Sequence, residues 1–279
     1  SPGRFIRPAG LDFHAGDVGI AANRVLSARD IGLAAAMNVP WLSVTRAPRI
    51  ALLATGDEIV RPGEPVGPNQ IISSNTIALM GLIKASGGEA IDLGIASDDE
   101  ASLRALAAGA RGAGMLVTLG GASVGDHDLV RKVLGQDGLE LDFWRIAMRP
   151  GKPLIFGSIG ETPMMGMPGN PVSSLVCGIV YLRPAVRAML GLDPHAASQT
   201  ARLGQDLPGN DLRQDYLRAT ASLNEDGETV VTPFDKQDSS MLSRLAKADC
   251  LILRAPHADP AKAGERVEIL PLSGETTGI

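Results

Sequence analysis

The chain has 279 residues, of which 44% are hydrophobic and only 3% aromatic, with a formal net charge of −5. That length allows two domains, or one large one with an appendage, and the acidic balance offers no basic face for nucleic acid. The two cysteines, Cys177 and Cys250, lie far apart in apolar surroundings, so neither a disulfide framework nor a zinc site is expected and the compartment reads as the cytoplasm.

The longest strongly apolar run, Leu175 to Leu182, stops at Arg183-Pro184 and is short for a bilayer span, so no membrane association is expected. Ser1-Pro2-Gly3-Arg4 has no apolar signal region. Without an initiator Met, the chain reads as an N-terminally truncated piece of a longer protein. Because aromatics are scarce, the core has to be built from Ala, Val, Leu and Ile, as in buried parallel strands and their covering helices.

Residues 1–48 alternate short apolar pieces with turn signals, and Ser27 with Asp30 predicts a capped helix running to Met37. Residues 49–193 alternate strand and helix. Arg49 to Ala54 is a continuous apolar strand, Asn75 to Ala85 a helix stopped by Gly87-Gly88, and Ala90 to Ile95 a second strand. Ser97-Asp98-Asp99-Glu100 reads as a capping box for the next helix, and Met115 to Leu119 as a strand ending at Gly120-Gly121. A helix around Leu129 to Leu134, strands near Phe143 to Ala147, Pro153 to Phe156 and Met164 to Met167, and a long helix from Val172 to Leu190 complete the zone. Such alternation predicts an α/β fold, a mainly parallel sheet sandwiched by helices, with ligands at the carboxyl ends of its strands. Residues 198–275 lack long helical runs. Tyr216 to Leu223 and Glu228 to Val231 flank the hairpin signal Asn224-Glu225-Asp226-Gly227, and Cys250 to Arg254 and Glu265 to Leu270 look like further strands, so a small β-barrel domain is expected.

Four segments carry chemistry. In Met167-Pro168-Gly169-Asn170-Pro171-Val172-Ser173-Ser174 two prolines stiffen the loop and a glycine allows close backbone approach. The start of the following helix would then offer N–H groups and hydroxyls to an anion; the plainer reading is a strand-to-helix turn capped by Asn170. Arg149-Pro150-Gly151-Lys152-Pro153 is another stiff loop with two cations, either an oxyanion site or a solvated turn. Gly120-Gly121-Ala122-Ser123-Val124-Gly125-Asp126-His127-Asp128 follows a strand and could cradle a phosphate. Asp126 could simply cap the helix there, whereas Asp128 could hold a magnesium ion. Thr55-Gly56-Asp57-Glu58 places two carboxylates at a strand end, suited to Mg2+ or to an ordinary Asp turn. Ser73-Ser74-Asn75 reads first as an N-cap.

Together these strings resemble the molybdopterin molybdenumtransferase family, which includes the E domain of gephyrin. The resemblance rests on Thr55-Gly56-Asp57-Glu58, Ser74-Asn75, Gly120-Gly121 with Ser123-Val124-Gly125 and Asp128, Pro150-Gly151-Lys152-Pro153, and Pro168-Gly169-Asn170-Pro171-Val172-Ser173. Asp215-Tyr216 with Arg218, and Gln237 to Leu242, extend it to the C-terminal zone. Arg149 stands where the family usually has Lys, keeping the charge with a different oxyanion geometry. The resemblance implies insertion of molybdate into adenylyl-molybdopterin with release of AMP, a dependence on Mg2+, and a homodimer. It also implies a remnant of N-terminal domains at 1–48, a molybdopterin-binding domain at 49–193 and a C-terminal barrel at 198–275.

On that implication Asp57 and Asp128 position Mg2+, while Gly120, Gly121 and Ser123 hold phosphate or pterin. Arg149, Lys152 and Ser173 bind molybdate. Thr55, Gly56, Glu58, Asn75, Gly125, Pro168, Gly169, Asn170 and Pro171 complete the substrate-binding set. The alternatives are a molybdopterin adenylyltransferase, which would consume ATP, and a non-catalytic molybdopterin-binding or scaffold protein.

Overall fold

The computed structural model describes residues 3–120, 127–136, 138–195 and 198–272. Residues up to Arg46 group as one unit and Ala47–Gly274 as another. In the first, α1 (Ala28–Ala36) starts as expected: the Ser27 Oγ accepts from the Asp30 N–H and the Asp30 carboxylate accepts from the Ser27 N–H at 2.7 Å. This reciprocal bonding satisfies two N–H groups that a helix start otherwise leaves open.

The second unit opens with β1 (Arg49–Thr55), which leads through a short parallel pair, β2 (Ile59–Val60) and β3 (Ile71–Ile72), into α2 (Asn75–Ala85). β4 (Glu89–Ala96), α3 (Glu100–Ala107), β5 (Met115–Leu119) and α4 (His127–Gln136) follow. Then come β6 (Leu139–Phe143), β7 (Met148–Arg149), β8 (Ile155–Ile159) and β9 (Thr162–Met167). The last helical run is α5 (Pro171–Cys177), a π-helical turn over Gly178–Leu182, and α6 (Arg183–Met189).

The first sheet has the order β4-β1-β5-β9-β8-β6. Its β4, β1, β5 and β9 are parallel, as the alternation predicts; β8 runs antiparallel to β9, and β6, antiparallel to β8, returns to the direction of the parallel strands. β1 sits inside it and reads apolar on both faces, because helices cover both sides. Ile50, Leu52 and Ala54 enter one core with α2 and α5, and Ala51 and Leu53 enter the other with α3 and α4. Burying a side chain such as Leu52 or Leu53 stabilises the fold by about 1.5–3 kcal/mol each.

Three local expectations are corrected. β6 ends at Phe143 rather than starting there, since the chain leaves the sheet to place β7 elsewhere. The cap of α3 is Asp99, whose side chain accepts from the Ser102 N–H at 2.7 Å, so the capping motif falls two residues later than Ser97. The run Pro171–Met189 is long and apolar enough to cross a membrane by length and composition, unlike the shorter stretch read from sequence. Half of it is buried, however, with Val172, Val176, Leu182 and Val186 in the core beside β1.

β10 (Gln199–Leu203), which the sequence reading did not anticipate, opens the second sheet. β11 (Gln214–Leu223), β12 (Thr229–Pro233), α7 (Leu242–Ala246), β13 (Cys250–Arg254) and β14 (Arg266–Pro271) complete it. The order β12-β10-β14-β13-β11 closes into a barrel because β11 also pairs with β12. The hairpin turn is built by Asn224, whose side-chain oxygen accepts from the Asp226 and Glu228 N–H groups at 3.1 and 2.8 Å. Leu245, Leu251 and Leu270 of this half belong to the same core cluster as α5, so barrel and α/β sheet share buried surface. The short β7 adds to the barrel, pairing Arg149 with Asp215 in parallel register along β11.

Candidate active site

The parallel strands all end at one edge of the first sheet, and the polar loops collect there. β1 gives Thr55-Gly56-Asp57-Glu58, β5 gives Gly120 and β9 gives Pro168-Gly169-Asn170. These loops are in contact. The Thr55 hydroxyl donates to the Leu119 carbonyl at 3.5 Å. Gly120 has φ +90°, and a Cβ there would stand 2.7 Å from the Thr55 carbonyl oxygen, so only glycine fits against the β1 loop. Asn75, at the start of α2, makes no cap; its amide instead donates to the Gly169 carbonyl at 2.7 Å and fastens the β9 loop.

Asp57 is exposed beside Asp98 of the neighbouring loop. The Asp57 Oδ1 accepts from the Asp98 N–H at 3.2 Å, and the Asp98 Oδ2 accepts from the Asp57 N–H at 3.4 Å. The two residues are thus clasped side by side, and Asp57 lines a cavity of about 490 Å³ with Ser97, Arg61 and the apolar Leu93, Ile95 and Leu106. Among the described residues no group of three potential ligands gathers as a closed metal cage needs. Magnesium takes one or two carboxylates and otherwise keeps water and phosphate oxygens, and this open pair fits that habit. Glu58 folds its carboxylate back over Gly56, while its carbonyl accepts from the Ile71 N–H at 2.7 Å.

The start of α5 differs from a simple anion cradle. Pro171 has no N–H, the Val172 N–H donates to the Ser239 carbonyl at 3.1 Å, and the Ser174 N–H donates to the Asn170 carbonyl at 2.9 Å. Of the first turn, the Ser173 N–H alone has no partner among the described residues. Asn170 occupies the cap position without making a side-chain cap bond, and it is exposed, so its amide is available to a ligand. Ser173 and Ser174 are both buried, and the Ser174 hydroxyl finds no hydrogen-bond partner among the described residues.

The Pro-Gly-Lys loop lies against this helix. Gly151 has φ +118°, its carbonyl is 3.9 Å from the Cys177 Sγ of α5, and a Cβ would run into that sulfur and Met148. Burial pushes the Cys177 thiol up to about 12. The side chain of Lys152 is exposed. Arg149 is engaged: its guanidinium bonds Asp215, Asp211 at 3.2 Å and Asn210 at 3.3 Å. Hydrogen bonds from Arg213, with the Arg149 charge as a smaller cause, hold Asp211 down at about 2.

Residues 51–188 match the model of a probable molybdopterin binding domain, and residues 200–272 the MoeA C-terminal region, domain IV. A molybdopterin molybdenumtransferase of Haemophilus influenzae is 32% identical over 279 residues, covering 98% of this chain and 68% of the relative. The chain belongs to the molybdopterin molybdenumtransferase family. Molybdopterin molybdenumtransferase 2 of Mycobacterium tuberculosis is 31% identical over 98% of this chain and 68% of its own length. A molybdopterin biosynthesis MoeA protein from Pyrococcus horikoshii superposes with a TM-score of 0.81 at 30% identity, over 95% of this chain and 64% of that one. The chain thus spans about two thirds of the length of these relatives.

For this family member the structure brings together Thr55, Gly56, Asp57, Gly120, Asn75, Gly169 and Asn170 at one edge, with the Lys152 loop packed on α5. Arg149, expected on the anion, has its guanidinium on two carboxylates, Asp211 and Asp215. Gly121, Ser123 and Gly125 lie outside the described residues, as does the side chain of Asp128 on the first turn of α4. Arg218, named from sequence only through the family resemblance, is 1% exposed. It donates to the Gln237 Oε1 at 3.1 Å and the Asp238 carbonyl at 2.9 Å. It thereby shapes the loop whose Ser239 carbonyl meets the start of α5. Its charge inside a strand was the one sequence signal for this, since a buried Arg must be hydrogen-bonded.

Proposed function

We propose that this chain inserts molybdate into adenylylated molybdopterin and releases AMP, as a step of molybdenum cofactor biosynthesis. The observation that carries the reading is the joining of the two stiff loops: the Gly151 carbonyl rests on Cys177, six residues along α5 from Pro171, and Asn75 pins Gly169. Lys152 would bring its ammonium to the oxyanion, with the Ser173 N–H and the Asn170 amide as neutral donors. Fixed donors of this kind stabilise charge that develops as the adenylyl phosphate leaves. Gly120 and Thr55 would let the substrate approach backbone closely, and Asp57 would hold Mg2+ with Asp128. When bound, Mg2+ supplies positive charge to the phosphoanhydride oxygens. Arg149 serves this site by fixing the loop to the barrel.

The same reading includes a cytoplasmic homodimer, and domains at 49–193 and 198–275 behind a remnant of N-terminal domains at 1–48. The match to a MoeA C-terminal region favours it over an adenylyltransferase or a scaffold. The test is a Lys152→Ala variant of the complete protein, assayed for AMP release from adenylyl-molybdopterin with molybdate and magnesium. Folding should be unchanged and AMP release lost. Full activity in that variant would overturn the assignment.

A further inference from the structure

With Arg149 tied to Asp211 and Asp215, a second cation for the ligand edge has to come from elsewhere. β6 and β9 both run antiparallel to β8, so β6 points the same way as the parallel strands and its carboxyl end opens on the same edge. A register irregularity after Leu141 re-aims the strand end, and Phe143 stacks on Phe156 of β8 with centroids 5.8 Å apart. The next two residues are Trp144 and Arg145. The Arg145 guanidinium carbon stands 4.2 Å from the centroid of the Trp144 ring, and Trp144 is 43% exposed. One residue further, the Ile146 N–H donates to the Lys152 carbonyl at 3.0 Å. The two arms of this excursion are therefore fastened together, with Arg145 on one and Lys152 on the other.

We propose that Arg145, carried on the face of Trp144, is the second cation of this site and binds a tetrahedral oxyanion together with Lys152. The oxyanion is molybdate or the phosphate of the adenylylated pterin, and the proposal rests on the function given above. A guanidinium laid on an indole keeps its N–H groups at the edge of the stack, where they can fork onto an oxyanion. The stack also removes rotamer freedom before the ligand arrives, which lowers the entropic cost of binding. Trp144 is a positioning residue in this arrangement.

The experiment titrates the 279-residue chain, in a Trp41→Phe background that leaves Trp144 as the sole tryptophan, with molybdate alone and with AMP alone. Calorimetry gives each Kd, and Trp144 fluorescence reports the contact. Arg145→Ala should weaken one or both probes about tenfold, the loss of one charge-assisted hydrogen bond, without moving Tm. The probe that weakens identifies the oxyanion. Trp144→Leu, read by calorimetry, should reproduce the loss and Trp144→Phe should restore binding. Wild-type affinity for both probes in Arg145→Ala would overturn this proposal and leave the function standing. Failure of the unaltered chain to bind either probe would overturn both.

Discussion

At the carboxyl edge of the α/β sheet, Asp57, Asn170 and Lys152 stand exposed with side-chain donors or acceptors still open, whereas in the barrel Arg218 is sealed among the side chain of Gln237 and backbone carbonyls. The edge holds its shape with glycine, proline and backbone contacts and leaves its side chains for a ligand. The barrel uses its polar side chains to hold one loop in place. That loop then touches the edge through the Ser239 carbonyl and the Val172 N–H. Arg218 in the barrel is thus a structural support, and on the proposed function the polar residues at the edge carry the chemistry.

The largest test of that contrast is Arg218→Ala. It would remove the guanidinium that donates to the Gln237 side chain and to the Asp238 and Met241 carbonyls, and leave a cavity where a fully buried side chain stood, and should cost about 3 kcal/mol in urea unfolding. Lys152→Ala, by comparison, should stay within about 0.5 kcal/mol of the parent. A loss from Arg218→Ala as small as the Lys152 value would erase the distinction. Gly120→Ala comes next. Its φ is positive and the new methyl would meet the Thr55 carbonyl, so about 2 kcal/mol of stability should go, with the ligand edge disturbed before the barrel. Hydrogen exchange resolves the order; equal loosening of both halves would count against it.

The smallest effect concerns pH. Burial pushes Cys177 and Tyr216 each up to about 12 from ordinary values of 9.0 and 10.0. Both are neutral when protonated, so the unfolded chain loses these protons first. Their contribution is whole below pH 9 and is lost as pH rises toward 12. The melting temperature should therefore fall steadily over that window, and less steeply in Cys177→Ala. A flat profile would show that neither group is sheltered from water.

The parallel part of the fold was legible because its signals are local: continuous apolar β1, capped α1, glycine after β5 and Pro-Gly-Asn-Pro after β9. The antiparallel direction of β8, and the place of β6 beyond it, were not, since direction in a sheet is set by partners distant in sequence. For the site, residue types located the loops but not what already occupied their donors. Nothing near Arg149 in the chain announces Asp211 and Asp215, which arrive more than sixty residues later, just before β11 and on it. The Val172 N–H has the same history, claimed by a residue 67 positions away in the count from 172 to 239. Arg145 falls inside the stretch from Phe143 to Ala147 that reads as a strand, and nothing local shows that β6 ends at Phe143 and leaves it beyond the strand.

The small strand β7 makes the boundary between the two halves in space different from any boundary in sequence. Met148 and Arg149 come from the middle of the α/β segment yet are laid down against β11. Severing the chain near residue 195 would separate two lengths of polypeptide without separating two structures. The first piece would carry its cationic loop without the strand that templates it, and the second would present an uncovered edge along Gln214 and Asp215.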